Sequence, residues 1–137
     1  MPTRNRRDWL RDALRSVREQ TWTRIEMVVI DEASTDTTIA MIEAEFPEAR
    51  VVRNLKPRGP SGARNAGVDA ATGDWVLFLD DDDLLHPRHI EDLVLASRAA
   101  PAGTVVSGRW RRFCVVDGEL RLGPVVCAPP DRAGLDT

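Results

Sequence analysis

No apolar run in this 137-residue chain approaches the roughly 20 residues that a membrane-spanning helix needs, which argues against an integral membrane segment. The opening residues carry no signal-peptide pattern, so the expected location is the cytoplasm, with attachment at the membrane periphery left open. Cysteine is scarce: Cys114 and Cys127 fall in no metal-ligand or redox spacing and read as two reduced thiols. Lysine is scarcer still, Lys56 being the only one, and 19 basic residues are outweighed by 22 acidic ones. A net charge of −3 lacks the basic surface that neutralises phosphates, so nucleic acid is not an expected partner. What remains, 42% hydrophobic and 30% charged, is a globular balance, long enough for one core and too short for two. The expected organisation is a single domain over residues 1–124, with a patternless, poorly ordered tail over 125–137.

One stretch dominates the chain. Trp75 to Leu79 is an unbroken apolar run, as expected of a strand buried on both faces, and it ends in Asp80, Asp81, Asp82 and Asp83. Four adjacent carboxylates repel one another, so the pattern calls for a cation or several donors to offset the charge. Oxygen-only ligands suit a hard divalent ion, Mn²⁺ or Mg²⁺, the latter often sharing its shell with water and phosphate. A solvated acidic turn, or a helix start capped by Asp83, stays open on these residues alone.

Around it, short apolar strands alternate with helices. Trp9, Leu10, Ala13, Leu14 and Val17 mark one helical stripe, and Met27–Ile30 is a buried strand running into Asp31. A second helix carries Ile39, Ile42 and Phe46 inward and stops at Pro47; Val51 and Val52 make a third strand. Lys56–Gly62 reads as a loop, followed by a helix from Ala63 to Ala71 with Gly73 as its left-handed terminator. A helix after Pro87 turns Ile90, Leu93 and Val94 inward. Strands are expected at Thr104–Val106, Arg112–Val116 and Glu119–Leu122, the last two joined by an Asp117-Gly118 turn. The alternation predicts an α/β, doubly wound, mostly parallel sheet, in which ligands bind beyond the carboxyl ends of the strands. Asp31 and Asp80 both lie at that edge. No buried strand precedes Pro2, where such a fold begins with one, and Met1–Arg6 reads as a loop.

Five motifs in order carry a resemblance: Pro-Thr-Arg-Asn-Arg at 2–6, Ser-Val-Arg-Glu-Gln-Thr-Trp at 16–22, Val-Val-Ile-Asp-Glu-Ala-Ser-Thr-Asp at 28–36, Gly-Ala-Arg-Asn-Ala-Gly at 62–67 and Phe-Leu-Asp-Asp-Asp-Asp at 78–83. The chain resembles glycosyltransferase family 2, the nucleotide-sugar-dependent enzymes of GT-A (Rossmann-like) fold. The resemblance implies a metal-dependent, inverting sugar transfer from a nucleotide-diphosphate sugar to an acceptor hydroxyl. It implies that Asp31 accepts a hydrogen bond from the nucleotide base, with Pro2 and Thr3 lining that pocket. Arg64 would lie beside the nucleotide and diphosphate, Asp80 in the Asp-x-Asp motif, Asp81 near the ribose, and Asp82 on the divalent cation. Asp83 reads as the cap of the next helix.

Departures from the family pattern are equally specific. Arg4 stands where the family often has tyrosine, and Glu32-Ala33 replaces its common Asp-Gly. The first strand and the acceptor-side half that carries the general base have no counterpart, so no base is assigned and acceptor and oligomeric state stay open. A second reading therefore stands beside the enzyme: a truncated, non-catalytic nucleotide-binding or assembly module.

Overall fold

A computed structural model describes residues 1–101, 104–117 and 119–126. The chain divides into two compact units, one spanning Met1–Ile90 and one beginning at Glu91.

The first unit is built on a three-stranded parallel sheet in the order β1 (Pro2–Thr3), β2 (Val28–Asp31), β3 (Arg50–Arg53). Register pairs Thr3 with Asp31 and Asp31 with Arg53. Helices α1 (Arg7–Arg18), α2 (Thr38–Glu45) and α3 (Gly59–Ala70) supply the crossovers and flanking layers. Alternation along β2 explains why both faces are covered. Val29 turns into a cluster with Leu10 and Leu14 of α1, Met41 and Ile42 of α2, and Phe46. Ile30 turns the other way, toward α3, where Gly67 leaves its side chain room: an added Cβ there would meet Ile30 Cγ1 at 3.6 Å. Helices on both faces of a parallel sheet make the doubly wound arrangement that the alternation predicts.

The α1 stripe differs from expectation at one position. Leu10, Ala13 and Leu14 are fully buried, whereas Trp9 is 52% exposed. Its place one residue before the i, i+3, i+4, i+7 series rotates it off the buried face.

The N-terminal segment is not a loop throughout. Pro2 and Thr3 form β1, and Met1 extends the contact by accepting from Ile30 N at 2.8 Å. Proline is tolerated here because its missing N–H is not required by the pairing to β2.

Helix α3 begins at Gly59, inside the segment expected to be a loop. Glycine and proline are compatible with a first helical turn, whose N–H groups need no intrahelical partner. Gly73 is not a left-handed terminator; α3 ends with Ala71 in an extended conformation, φ −69° and ψ 145°.

The largest difference is at Trp75–Leu79, which forms no strand. Trp75, Val76, Leu77 and Phe78 are 43–64% exposed, and only Leu79 is buried. The neighbour it would pair with is β1, whose two residues offer too short a row of backbone partners for a five-residue ladder. What anchors the following residues instead is α1 and the residues just after it. Ser16 Oγ accepts from Leu85 N at 3.1 Å, and buried Gln20 donates to His86 O at 2.8 Å while accepting from Ile90 N at 3.0 Å. Beside this anchor lies an apolar cleft of about 80 Å³ lined by Met1, Leu14, Val17, Leu77, Leu79 and Leu85 among others.

Helix α4 (His89–Ala99) starts in the first unit and continues into the second; Ile90, Leu93 and Val94 are half-buried. It starts six residues after Asp83, which therefore caps no helix. Beyond α4, β4 (Trp110–Val116) and β5 (Glu119–Val126) pair antiparallel with an irregularity between Arg111 and Phe113. The hairpin expected from Asp117-Gly118 is present, with Asp117 at φ 53°. Thr104–Val106 is not a strand, and Val105 is 92% exposed. The expected tail overlaps the end of β5; from Cys127 onward it lies outside the described residues. Among the described residues no helix is long and apolar enough to cross a membrane.

Candidate functional site

Parallel pairing carries β1 and β2 to the same carboxyl edge, and their register sets Thr3 beside Asp31. From there Thr3 Oγ1 donates to Asp81 Oδ2 at 2.8 Å, a buried bond joining residues 78 apart in sequence. One hydroxyl thus ties the loop Asp80–Asp83 to the sheet although no backbone ladder does. Glu32 N donates to Thr3 O at 2.9 Å and closes the same edge from the β2 side. Register and the Thr3–Asp81 bond bring Pro2, Thr3, Asp31 and the loop carrying Asp80, Asp81 and Asp82 to one edge, and Arg64 joins the loop from α3.

Asp31 is fully buried. Its carboxylate accepts from Ser34 N at 3.2 and 3.3 Å and lies 3.6 Å from Arg53 Nε. These contacts stabilise the turn after β2 and leave carboxylate lone pairs unused.

The acid loop is compensated by arginine. Arg64 NH2 donates to Asp80 Oδ1 at 2.6 Å from α3. Arg6 NH1, at the entry to α1, donates to Asp81 Oδ1 at 3.1 Å and Asp82 Oδ2 at 2.8 Å. The charge of Asp81, and then hydrogen bonds to Asp82 and Asp81, raise the Arg6 pKa. Asp83 shows what an acid without such a partner experiences: burial, then the charges of Asp82 and Asp80, push its carboxyl up. Exposure separates the two central acids. The Asp81 side chain is 9% exposed and structural in its contacts, whereas that of Asp82 is 49% exposed.

Among the described residues no three His, Cys, Asp or Glu side chains are gathered as a ready-made metal cage. The donor set fits a hard cation held by one or two carboxylates, with the remaining positions left to water and phosphate.

Glu32 holds the base of α3. Its buried carboxylate accepts from Asn54 Nδ2 at 2.6 Å, Arg58 N at 2.7 Å and Gly59 N at 3.0 Å. Two of these donors are unpaired amides at the α3 N-terminus, where a carboxylate is favoured by the helix dipole. On the other side of the turn, Asn5 N donates to Ser34 Oγ at 2.9 Å and Asn5 Oδ1 accepts from Thr35 N at 2.7 Å. Asn5 does this from φ 53°.

Ala33 between them sits at φ 58°, a left-handed conformation that costs a side chain with Cβ roughly 1–2 kcal/mol. Ala33→Gly is expected to raise the unfolding free energy by about 0.5–1 kcal/mol, the relief of strain exceeding the added entropy of the unfolded glycine. Urea denaturation checks it; an unchanged or lowered midpoint would contradict the strain.

Arg6, Glu32, Asn5 and Arg53 carry the site's contacts, and of these only Glu32 is singled out by the sequence, as a departure from the family pattern. Arg6 and Asn5 lie inside the quoted Pro2–Arg6 motif, and Glu32 inside that at 28–36, so their position was visible while their partners, 22 to 76 residues away, were not.

Comparison with known proteins places this edge in context. A family model described as glycosyl transferase family 2 matches residues 1–123. The succinoglycan biosynthesis protein ExoO of Rhizobium meliloti (strain 1021) is 37% identical over 103 residues, covering 74% of this chain and 30% of its own length. The GalNAc(5)-diNAcBac-PP-undecaprenol beta-1,3-glucosyltransferase of Campylobacter jejuni is 37% identical over 90 residues, covering 62% of this chain and 29% of that protein. Among solved structures, S. aureus TarS 1-349 in complex with UDP matches with a TM-score of 0.67 at 25% identity, over 78% of this chain and 36% of that one. The mannosyltransferase PcManGT from Pyrobaculum calidifontis in complex with GDP-Man and Mn²⁺ matches with a TM-score of 0.64 at 30% identity, over 73% and 31%. The chain spans about a third of the length of each of these four proteins. Its parallel α/β sheet is the GT-A arrangement of these glycosyltransferases, and the chain belongs to glycosyltransferase family 2.

Proposed function

We propose that this chain is the donor-binding part of a glycosyltransferase that moves a sugar from a nucleotide-diphosphate sugar to an acceptor hydroxyl with inversion, using Mn²⁺ or Mg²⁺. The observation that carries the reading is the Thr3–Asp81 bond, which joins the acid loop to the strand edge holding Asp31. Pro2, Thr3 and Asp31 then line the base side, Asp81 lies toward the ribose, and Arg64 with Asp80 borders the diphosphate. Asp82, half-exposed within the loop, is the residue that would hold the cation. When bound, that ion supplies charge neutralisation for the departing nucleoside diphosphate. Structural neighbours described as complexes with UDP and with GDP-Man and Mn²⁺ support the substrate class. Residues 1–124 are taken as one donor-binding domain in this reading, and the cytoplasm, with access to the membrane periphery, as its location.

Isothermal titration of UDP, GDP and dTDP, with and without Mn²⁺, tests the proposal. Expected is Mn²⁺-dependent binding of at least one of them, weakened at least about 10-fold in Asp82→Asn. Binding indifferent to Mn²⁺, or to the substitution, would remove Asp82 from the metal role. Sugar transfer by the 137-residue chain alone would exclude the alternative of a non-catalytic nucleotide-binding module.

A further inference from the structure

The contacts of Arg6 are uneven in a way that bears on how the site fills. A single nitrogen, NH1, bridges Asp81 Oδ1 and Asp82 Oδ2, while Nε and NH2 make no hydrogen bond among the described residues. One end of the bridge is anchored. Asp81 is buried and its other oxygen is committed to Thr3 Oγ1. The other end is loose, because the side chains of Arg6 and Asp82 are both 49% exposed, and solvent-exposed ion pairs of this kind exchange readily. A divalent cation approaching from solvent meets Asp82 before Asp81. At Asp82 Oδ2 it competes with a guanidinium nitrogen 2.8 Å away, since two positive groups within one ion-pair distance of each other repel. Arg64 donates through NH2 to Asp80 alone among the described residues, at 2.6 Å, so Arg6 is the guanidinium that a cation arriving at Asp82 meets, and its Nε and NH2 are in reserve. A planar fork with two unused donors matches the geometry of phosphate oxygens.

We propose that Arg6 is a positioning residue that holds Asp82 in the cation-free protein, is displaced from it by the divalent cation, and pivots on Asp81 to meet the donor's diphosphate. The inference rests on the donor-binding reading above, in which Asp82 receives the cation. Metal binding and donor binding are thereby linked through one side chain: the ion releases the group that the diphosphate then engages.

The test separates metal from donor. Mn²⁺ alone is titrated into the full chain as wild type, Arg6→Gln and Asp82→Asn, with free Mn²⁺ counted by electron paramagnetic resonance. Removal of the competitor is expected to tighten Mn²⁺ binding in Arg6→Gln by roughly 2- to 5-fold, the range set by exposed ion pairs. Binding of UDP or GDP at saturating Mn²⁺ is expected to weaken by about 10-fold in the same variant, from the lost charge-assisted bonds. In the wild type, Mg²⁺ alone is expected to shift the Arg6 Nε resonance in nitrogen-15 spectra, and not in Asp82→Asn. If Asp82→Asn loses Mn²⁺ while Arg6→Gln binds it no more tightly than wild type, the displacement is overturned and the metal assignment survives. Tighter Mn²⁺ with unchanged nucleotide affinity overturns the pivot toward the diphosphate. No Mn²⁺ binding by any of the three overturns both this inference and the metal assignment.

Discussion

Phe46→Ala is expected to lower the unfolding free energy of the chain by about 3–5 kcal/mol, among the largest losses available to a single truncation here. Phe46 follows the last residue of α2, is 1% exposed, and is among the largest of the fully buried side chains. Its ring packs with Leu10 and Leu14 from α1, Val29 from β2, and Met41 and Ile42 from α2. Those neighbours belong to three elements tied by their own backbone hydrogen bonds, so they cannot collapse into the vacated space and a cavity term adds to the lost transfer term. The ring also lies under the Arg18 guanidinium at 4.3 Å, and that arginine donates to Glu45 O at 2.6 Å and Glu48 Oε1 at 2.7 Å. Truncation therefore loosens the joint between α1 and the end of α2 as well. Phe46→Leu, which keeps most of the volume, is expected to cost under about 1.5 kcal/mol. Guanidinium denaturation of the three proteins measures both differences, and a loss below about 1 kcal/mol for the alanine variant would mean that the cluster repacks. Against a typical total of about 5–15 kcal/mol, the expected loss is a large fraction of what holds the domain together.

The parts of this fold that were legible in the sequence are those whose signal is local. The stripe of Leu10, Ala13, Leu14 and Val17 repeats with the helical period, and Met27–Ile30 is a short apolar run ending in acid. Both became elements where expected. From the sequence, Asp31 and Asp80 are expected at one edge as the ends of two parallel strands, whereas only Asp31 ends a strand and the acid loop reaches that edge through the Thr3 hydroxyl. Trp75–Leu79 misled for a related reason. An apolar run announces what a segment would bury, not whether a partner exists, and here β1 is only two residues long. Helix α3 was misjudged at its start because Gly59 and Pro60 act as breakers only where an N–H or a full turn is needed. That start is stabilised by Glu32, 27 residues earlier than Gly59. The arginine counterions of the acid loop were out of reach of pattern reading altogether: Arg6 meets Asp82 across 76 positions, and no periodicity encodes such a pair.

Glu32→Gln is expected to destabilise the chain by about 2–3 kcal/mol at neutral pH, with a loss that fades in acid. One carboxylate oxygen takes Asn54 Nδ2 while the other takes both Arg58 N and Gly59 N. Glutamine has a single acceptor oxygen and presents an NH₂ group to the other side, so one set of donors is left facing a donor. Burial alone would push the Glu32 carboxyl up. The hydrogen bonds from Asn54 and then from the Arg58 and Gly59 amides outweigh it, so the carboxyl sits below its ordinary range. For a lowered carboxylate the sign is fixed: its stabilisation is fully present above the unfolded value, about 4.3, and is lost as pH falls through the folded one. The difference in unfolding free energy between wild type and Glu32→Gln should therefore be flat from pH 7 to about 5 and shrink below about 4. Taking the difference removes the other titrating groups that both proteins share. A gap that stays constant down to pH 3 would mean that the ionised carboxylate contributes nothing beyond its shape. The same substitution reaches the site, because α3 starts at the residues Glu32 holds and carries Arg64 to Asp80. Mn²⁺-dependent nucleotide binding is expected to weaken along with stability in this variant, whereas Phe46→Ala should lower stability alone so long as the chain remains folded.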